Sequence, residues 1–237
     1  VTRQIDQSTV IGPVELTPIQ RMFLEEFPVG AHQHYNQSVL IRSGDRINES
    51  VLKQCMIKIV RHHDALRMVY SSNGAVYTQE NHGISGELFK YSFYDLIGES
   101  EAIEMMGEKG DELQRSFNLS EGPLFAVGHF RLPDGDHVAL ICHHLVIDGV
   151  SWRILLEDLS TLYSQLQSGL PAFLPPKTDS YQRWAGALGD YARRIAGSAI
   201  QSYWASVLAQ SVPAFPTDKA NGSGILDSSF SFKLDTG

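Results

Sequence analysis

Apolar positions along this chain switch repeatedly between a helical period and an alternating one, and the switches mark out its elements. Thr17 followed by Pro18 reads as an N-cap and first helical residue. Ile19, Met22, Phe23 and Phe27 then recur at helical spacing, with Pro28 and Gly30 closing the helix. Residues 34–42 read as a strand. Ile47, Val51, Leu52, Cys55, Met56, Ile59 and Val60 form the apolar stripe of an amphipathic helix over 47–62. Residues 66–70 and 75–79 flank Ser71-Ser72-Asn73-Gly74, the turn chemistry of a hairpin, and 88–94 is a further short strand.

A helix over about 99–117 precedes a second hairpin, whose strands 124–131 and 137–142 flank Pro133-Asp134-Gly135-Asp136. The second of these strands runs straight into His143-His144. From Ser151 the residues Ile154, Leu155, Leu159, Leu162, Tyr163 and Leu166 are helical, stopping at Gly169 with Pro171 beyond. Two more helical stretches, 180–195 and 199–209, come before a tail rich in Pro, Ser, Gly and Asn with a strand-like segment at 230–234. Strands mixed with helices and hairpins predict an α/β (α+β) two-layer sandwich.

Composition narrows the function classes. The 237 residues are 43% hydrophobic and 19% charged, as expected of a globular domain with a sizeable core. Acidic residues outnumber basic ones 27 to 19, a formal charge of -8 that argues against nucleic acid or an anionic membrane surface as partner. Neither a signal-type leader nor an apolar run of membrane-spanning length is present in the sequence. The two cysteines, Cys55 and Cys142, each sit in an apolar run and read as buried free thiols, which fits a cytoplasmic setting. The start without Met and the strand-like end point to a piece of a longer chain.

The segment His143-His144-Leu145-Val146-Ile147-Asp148-Gly149 places two imidazoles, a carboxylate and a glycine in a turn between a buried strand and a helix. Successive residues of a strand face opposite ways, so only one of the two rings addresses a given cleft, and the residues alone leave open which. Asp148 either orients the imidazole or braces the turn, with bracing the commoner use of such an aspartate. Ser151 lacks a nucleophile elbow and reads as the cap of the following helix. Trp152, Trp184 and Trp204 read as packing residues, Trp152 alone adjoining the cleft. His32, His34, His62, His63 and His82 show no metal-ligand spacing with one another or with His143 and His144, so no metal is expected.

His143-His144 with Asp148-Gly149 resembles the HHxxxDG motif of the condensation-domain superfamily. In the same order as in that family come Leu16-Thr17-Pro18-Ile19-Gln20, His63-Asp64-Ala65-Leu66-Arg67, Phe117-Asn118-Leu119 with Gly122-Pro123-Leu124, and Leu174-Pro175-Pro176-Lys177-Thr178-Asp179-Ser180. Gly149-Val150-Ser151-Trp152, Pro18-Ile19-Gln20-Arg21-Met22-Phe23 and His34-Tyr35-Asn36-Gln37-Ser38 are similar to the epimerization branch of nonribosomal peptide synthetases. Met22 stands where that branch favours Trp, and Ile147 where a Ser is common.

The resemblance implies a chloramphenicol acetyltransferase-like lobe over 1–210, with 211–237 a linker and first strand toward a carboxy-terminal lobe not contained here. It implies L-to-D epimerization at the Cα of an aminoacyl or peptidyl thioester carried on the 4'-phosphopantetheine of a peptidyl carrier domain, with neighbouring synthetase domains in the same polypeptide. No cofactor of the domain's own is implied. His144 inherits the role of base and His143 a structural one; Arg67 would pair with Asp148, Gly149 would leave room for the thioester, and Ser151 and Trp152 would adjoin the substrate. A glutamate in the second lobe would serve the opposite face, so this chain alone is expected to be inactive. The rival readings are a condensation domain forming the peptide bond and a catalytically silent carrier-docking module.

Overall fold

The computed structural model describes residues 4–27, 31–74 and 76–212. Strand β1 (Gly12–Val14) leads into helix α1 (Pro18–Glu26), which begins at the Thr17-Pro18 pair; Gln20 Oε1 reaches back to accept the Thr17 N–H at 3.0 Å. Strand β2 (Asn36–Ser43) and helix α2 (Glu49–His62) follow, the helix capped by Asn48 and burying Leu52, Cys55, Met56, Ile59 and Val60.

The hairpin of β3 (Met68–Asn73) and β4 (Val76–Asn81) is tighter than its turn residues predict. Ser71, Ser72 and Asn73 continue the strand as an exposed polar end, and Gly74 makes the corner at φ 65°. Leu66 belongs to a short 3-10 helix over Asp64–Arg67 and not to the strand.

Strand β5 (Lys90–Asp95) and helix α3 (Ala102–Gln114) precede the long hairpin of β6 (Phe125–Leu132) and β7 (Gly135–His143). Here too the turn is shorter than expected, because Gly135 and Asp136 pair with Leu132 and Arg131. A Cβ on Gly135, at φ 132°, would collide with the Ser43 carbonyl oxygen, so this close approach of β7 to β2 requires glycine. Helix α4 (Gly149–Gln167) starts earlier than Ser151; α5 (Tyr181–Ile195) and α6 (Ala199–Leu208) fall where helices are predicted.

One sheet has the order β1-β4-β3 and the other β2-β7-β6-β5, antiparallel except for the parallel β5-β6 pair. Leu113 of α3 fills the space left by the missing side chain of Gly128 on one face of the larger sheet. On the other face Val138 shares a cavity with Leu52 of α2 and Leu156 and Leu159 of α4. Cover on both faces explains why β6 and β7 are buried almost without interruption. The mixed α/β sandwich expected from the element order is therefore present.

Asp136 lies wholly within this interior, where Arg46, the Ile47 N–H and His129 Nε2 surround its carboxylate at 2.7, 2.9 and 3.0 Å. Both cysteines are free and buried, and burial pushes the Cys55 thiol up to about 11. Trp184 and Trp204 are 49% and 57% exposed, so of the two packing roles their spacing allows, core or interlobe, neither fills the first. The chain divides between Arg194 and Ile195 into two compact units. Beyond Val212, the expected linker and strand lie outside the described residues. Among those described, no helix is long and apolar enough to cross a membrane.

Candidate active site

His143 ends β7 paired with Asn36, and the backbone N–H of His144 is taken by the Tyr35 carbonyl at 2.7 Å. The alternation of the strand resolves the choice that the sequence leaves open. His143 is fully buried; its Nε2–H donates to the His32 carbonyl at 2.7 Å and its Nδ1 accepts the Leu145 N–H at 3.2 Å. Both ring nitrogens are thus committed to backbone, and burial pushes the ring's pKa down to about 4.

His144 is only partly buried and turns the other way. Its Nδ1 lies 2.9 Å from the Ile147 carbonyl oxygen, which can only accept, so Nδ1–H donates there and Nε2 is the nitrogen turned away from the backbone. Tyr35 stacks on the ring, the planes 8° apart and the centroids 5.2 Å. Gln37 on β2 lies 2.9 Å from Nε2, and Trp152 Nε1 donates to Gln37 Oε1 at 3.0 Å.

Two expected contacts are not formed. Asp148, and not Ser151, caps α4: its Oδ1 accepts the Ser151 N–H at 2.8 Å and the Ser151 hydroxyl at 2.6 Å. These two bonds hold the Asp148 carboxyl below the usual carboxylate range. The earlier helix start moves Ser151 from the cap position into the first turn.

Arg67 does not pair with Asp148 either. Its guanidinium is buried and donates to the carbonyls of Val60, Arg61, His82 and Val10, at 2.5, 3.2, 3.0 and 3.3 Å. It therefore satisfies the unpaired C-terminal carbonyls of α2 and joins them to two loops. At Gly149 a Cβ would meet nothing within 4 Å, so the space beside the turn is open.

Residues 10–237 match the condensation-domain family. The chain belongs to that family. It is 39% identical over 218 residues to tyrocidine synthase 2 of Brevibacillus parabrevis, a match covering 92% of this chain and 6% of that one. With gramicidin S synthase 1 of Brevibacillus brevis it shares 39% identity over 202 residues, covering 85% and 18%. The solved epimerization domain from the third module of tyrocidine synthetase B superposes with a TM-score of 0.85 at 38% identity, covering 93% of this chain and 49% of that one. The starter condensation domain of rhizomide synthetase, at 17% identity and a TM-score of 0.69, shares the fold. This chain thus spans a small part of the curated synthetases and about half of the solved domain.

In this condensation-family domain a buried polar chain supports the loop after β7. Tyr70 donates its hydroxyl proton to the Leu145 carbonyl at 2.9 Å and lies 3.1 Å from Gln20 Nε2, which also donates to Gln79 at 2.7 Å. Neither Tyr70 nor Gln79 carries a signal of this role in the sequence. Tyr35 and Gln37 lie in a family-like segment, yet nothing in their spacing shows that they meet His144.

A groove of about 710 Å3 borders the motif on the side of Val146, Ile147 and Ser151. In it, ligand atoms of His62, His63 and Asp158 lie within 4.8 Å of one another, a grouping that sequence spacing misses because Asp158 comes from α4. His63 Nε2 and Asp158 already satisfy each other at 2.6 Å.

Proposed function

We propose that this chain supplies the base of a carrier-bound aminoacyl or peptidyl epimerase in nonribosomal peptide synthesis. The observation that carries the proposal is the division of labour in the dihistidine. His143 is buried with both ring nitrogens on backbone groups, whereas His144 is partly exposed, with Nδ1–H anchored on the Ile147 carbonyl and Nε2 meeting only the Gln37 side chain. The 38% identity to an epimerization domain supports epimerization over peptide-bond formation.

A thioester acidifies its α-proton, and a positioned imidazole is matched to removing it near neutral pH. His144 Nε2 takes the Cα proton, and the C–H electron pair moves into the thioester carbonyl as an enolate. Delivery of a proton to the opposite face, by an acid outside this chain, gives the D centre; His144 then releases its proton to solvent. The open space at Gly149 fits a thioester on a phosphopantetheine arm. Asp148 caps the helix that follows the motif, Arg67 braces the end of α2, Ser151 and Trp152 adjoin the site, and no metal or cofactor of the domain's own enters the scheme. The partners are a peptidyl carrier domain and neighbouring synthetase domains, in the cytoplasm, with 1–210 forming one lobe and 211–237 leading to the other.

The test uses the full-length protein with its carrier loaded with an L-aminoacyl thioester deuterated at Cα, followed for washout and for the D:L ratio beside His144→Ala. Washout with D product, lost in the variant, is expected. Peptide-bond formation with an acceptor and no washout would make it a condensation enzyme, and neither activity a docking module. Residues 1–237 alone are expected to show no exchange.

A further inference from the structure

The polar contacts of His144 extend into a chain with one possible polarity. It begins at Trp152 Nε1–H, which can only donate, and ends at the Ile147 carbonyl, which can only accept. Between them Gln37 must present Oε1 to the indole, which leaves its NH2 group 2.9 Å from His144 Nε2. Turning the amide over would set NH2 against N–H at Trp152. Trp152 is 8% exposed and sits in the first turn of α4, so the indole cannot swing aside without repacking the core.

We infer that Gln37 and Trp152 form a polarity lock that keeps a proton off His144 Nε2. The inference rests on His144 being the base, and makes Gln37 and Trp152 positioning residues. A protonated Nε2 would face the Gln37 NH2 group, donor against donor, and the amide could not rotate to accept it without losing Trp152. The lock has two consequences. In the resting ring the Gln37 N–H holds the Nε2 lone pair in position, and after abstraction the same donor faces the new Nε2–H until the proton is released. The incoming Cα–H takes the place of the Gln37 N–H at Nε2. The other titratable groups around the ring are Tyr35 stacked on it, His143 on the far side of the strand, and Asp148, whose carboxylate is committed to Ser151.

Replacing Gln37 by Glu keeps the shape and the Trp152 bond but turns the donor at Nε2 into an acceptor, whereas Gln37→Leu removes both. Carbethoxylation of His144 by diethyl pyrocarbonate, which needs a bare imidazole nitrogen, reads the lock by peptide mass spectrometry in the full-length protein, without turnover. At about pH 6, near the ordinary imidazole value, the wild type is expected to react fastest, Gln37→Leu and Trp152→Phe, which let Nε2 take up a proton, several-fold more slowly, and Gln37→Glu on the order of tenfold more slowly. In Gln37→Glu the rising limb of the exchange–pH profile is expected to move up by about 1–3 pH units, as for an imidazole gaining a carboxylate partner. Equal reactivity of His144 in Gln37→Glu and wild type, or the same loss of exchange in Glu and Leu variants with no shift of the pH profile, would overturn the lock. If Gln37→Glu fails to fold by its thermal melt, Trp152→Phe decides by the same readouts. Should His144→Ala still exchange, the base assignment falls, while the carbethoxylation pattern continues to judge the lock.

Discussion

His143 Nε2–H meets the His32 carbonyl oxygen at 2.7 Å in a site closed to solvent. A second proton on this ring would have to displace the Leu145 N–H from Nδ1 and place a charge in the interior, and burial accordingly holds the pKa at about 4 against an ordinary 6.5. The unfolded chain therefore takes up the proton first as the pH falls. The contribution is fully present above about pH 6.5 and declines toward about pH 4, by about 3 kcal/mol in all. Urea unfolding across that window should show the decline, and a flat profile would count against a neutral buried His143.

Arg67 and Asp148 make separate contributions, since they share no bond. Arg67→Ala leaves several buried carbonyls without a donor and is expected to cost about 3–5 kcal/mol. Asp148→Ala removes a helix cap, worth about 1 kcal/mol. In the double variant the two losses should add to within about 0.5 kcal/mol. A larger coupling in a double-mutant cycle would restore the ion pair that the family resemblance implies.

Asp136→Asn breaks a buried cluster with Arg46 and His129 and is expected to lose about 3–5 kcal/mol. Burial opposes the ionised form, but Arg46, the Ile47 N–H and His129 outweigh it, so the carboxyl sits below its ordinary range. Its contribution is present above about pH 4 and is lost below that, as the folded carboxyl protonates. Thermal melts of both proteins should converge in acid; a constant gap would argue against an ionised Asp136.

Gly149→Ala separates substrate space from folding. The added methyl meets no protein atom, so the melting temperature should stay close to that of the wild type. If the thioester arm passes there, KM for the loaded carrier should rise several-fold with kcat less affected. Unchanged KM would move the arm's path elsewhere.

Much of the fold is legible in apolar spacing, and the errors share a cause. Ser71, Ser72 and Asn73, like Gly135 and Asp136, have turn chemistry, yet pairing across the hairpin extends the strands through them. Asp136 is tolerated inside only because Arg46 and His129 arrive from elsewhere in the chain. The dihistidine is visible at once, and strand alternation narrows it to one ring of two. The partners of that ring are not visible, because Gln37 and Trp152 are 115 residues apart and reach His144 only through the β2–β7 register and the first turn of α4. Arg67 misleads for a related reason: its acceptors are main-chain oxygens, which no side-chain pattern announces.

Gly135 stands eight positions before His143 on β7, about 26 Å away along an extended strand. Its bare backbone lets β7 close on Ser43 in the register that pairs His143 with Asn36. A shift of one residue would exchange the two imidazoles, presenting the anchored ring and hiding the available one. Which of two chemically identical side chains stays accessible is thus addressed from the opposite end of the sheet, by a residue with no side chain at all.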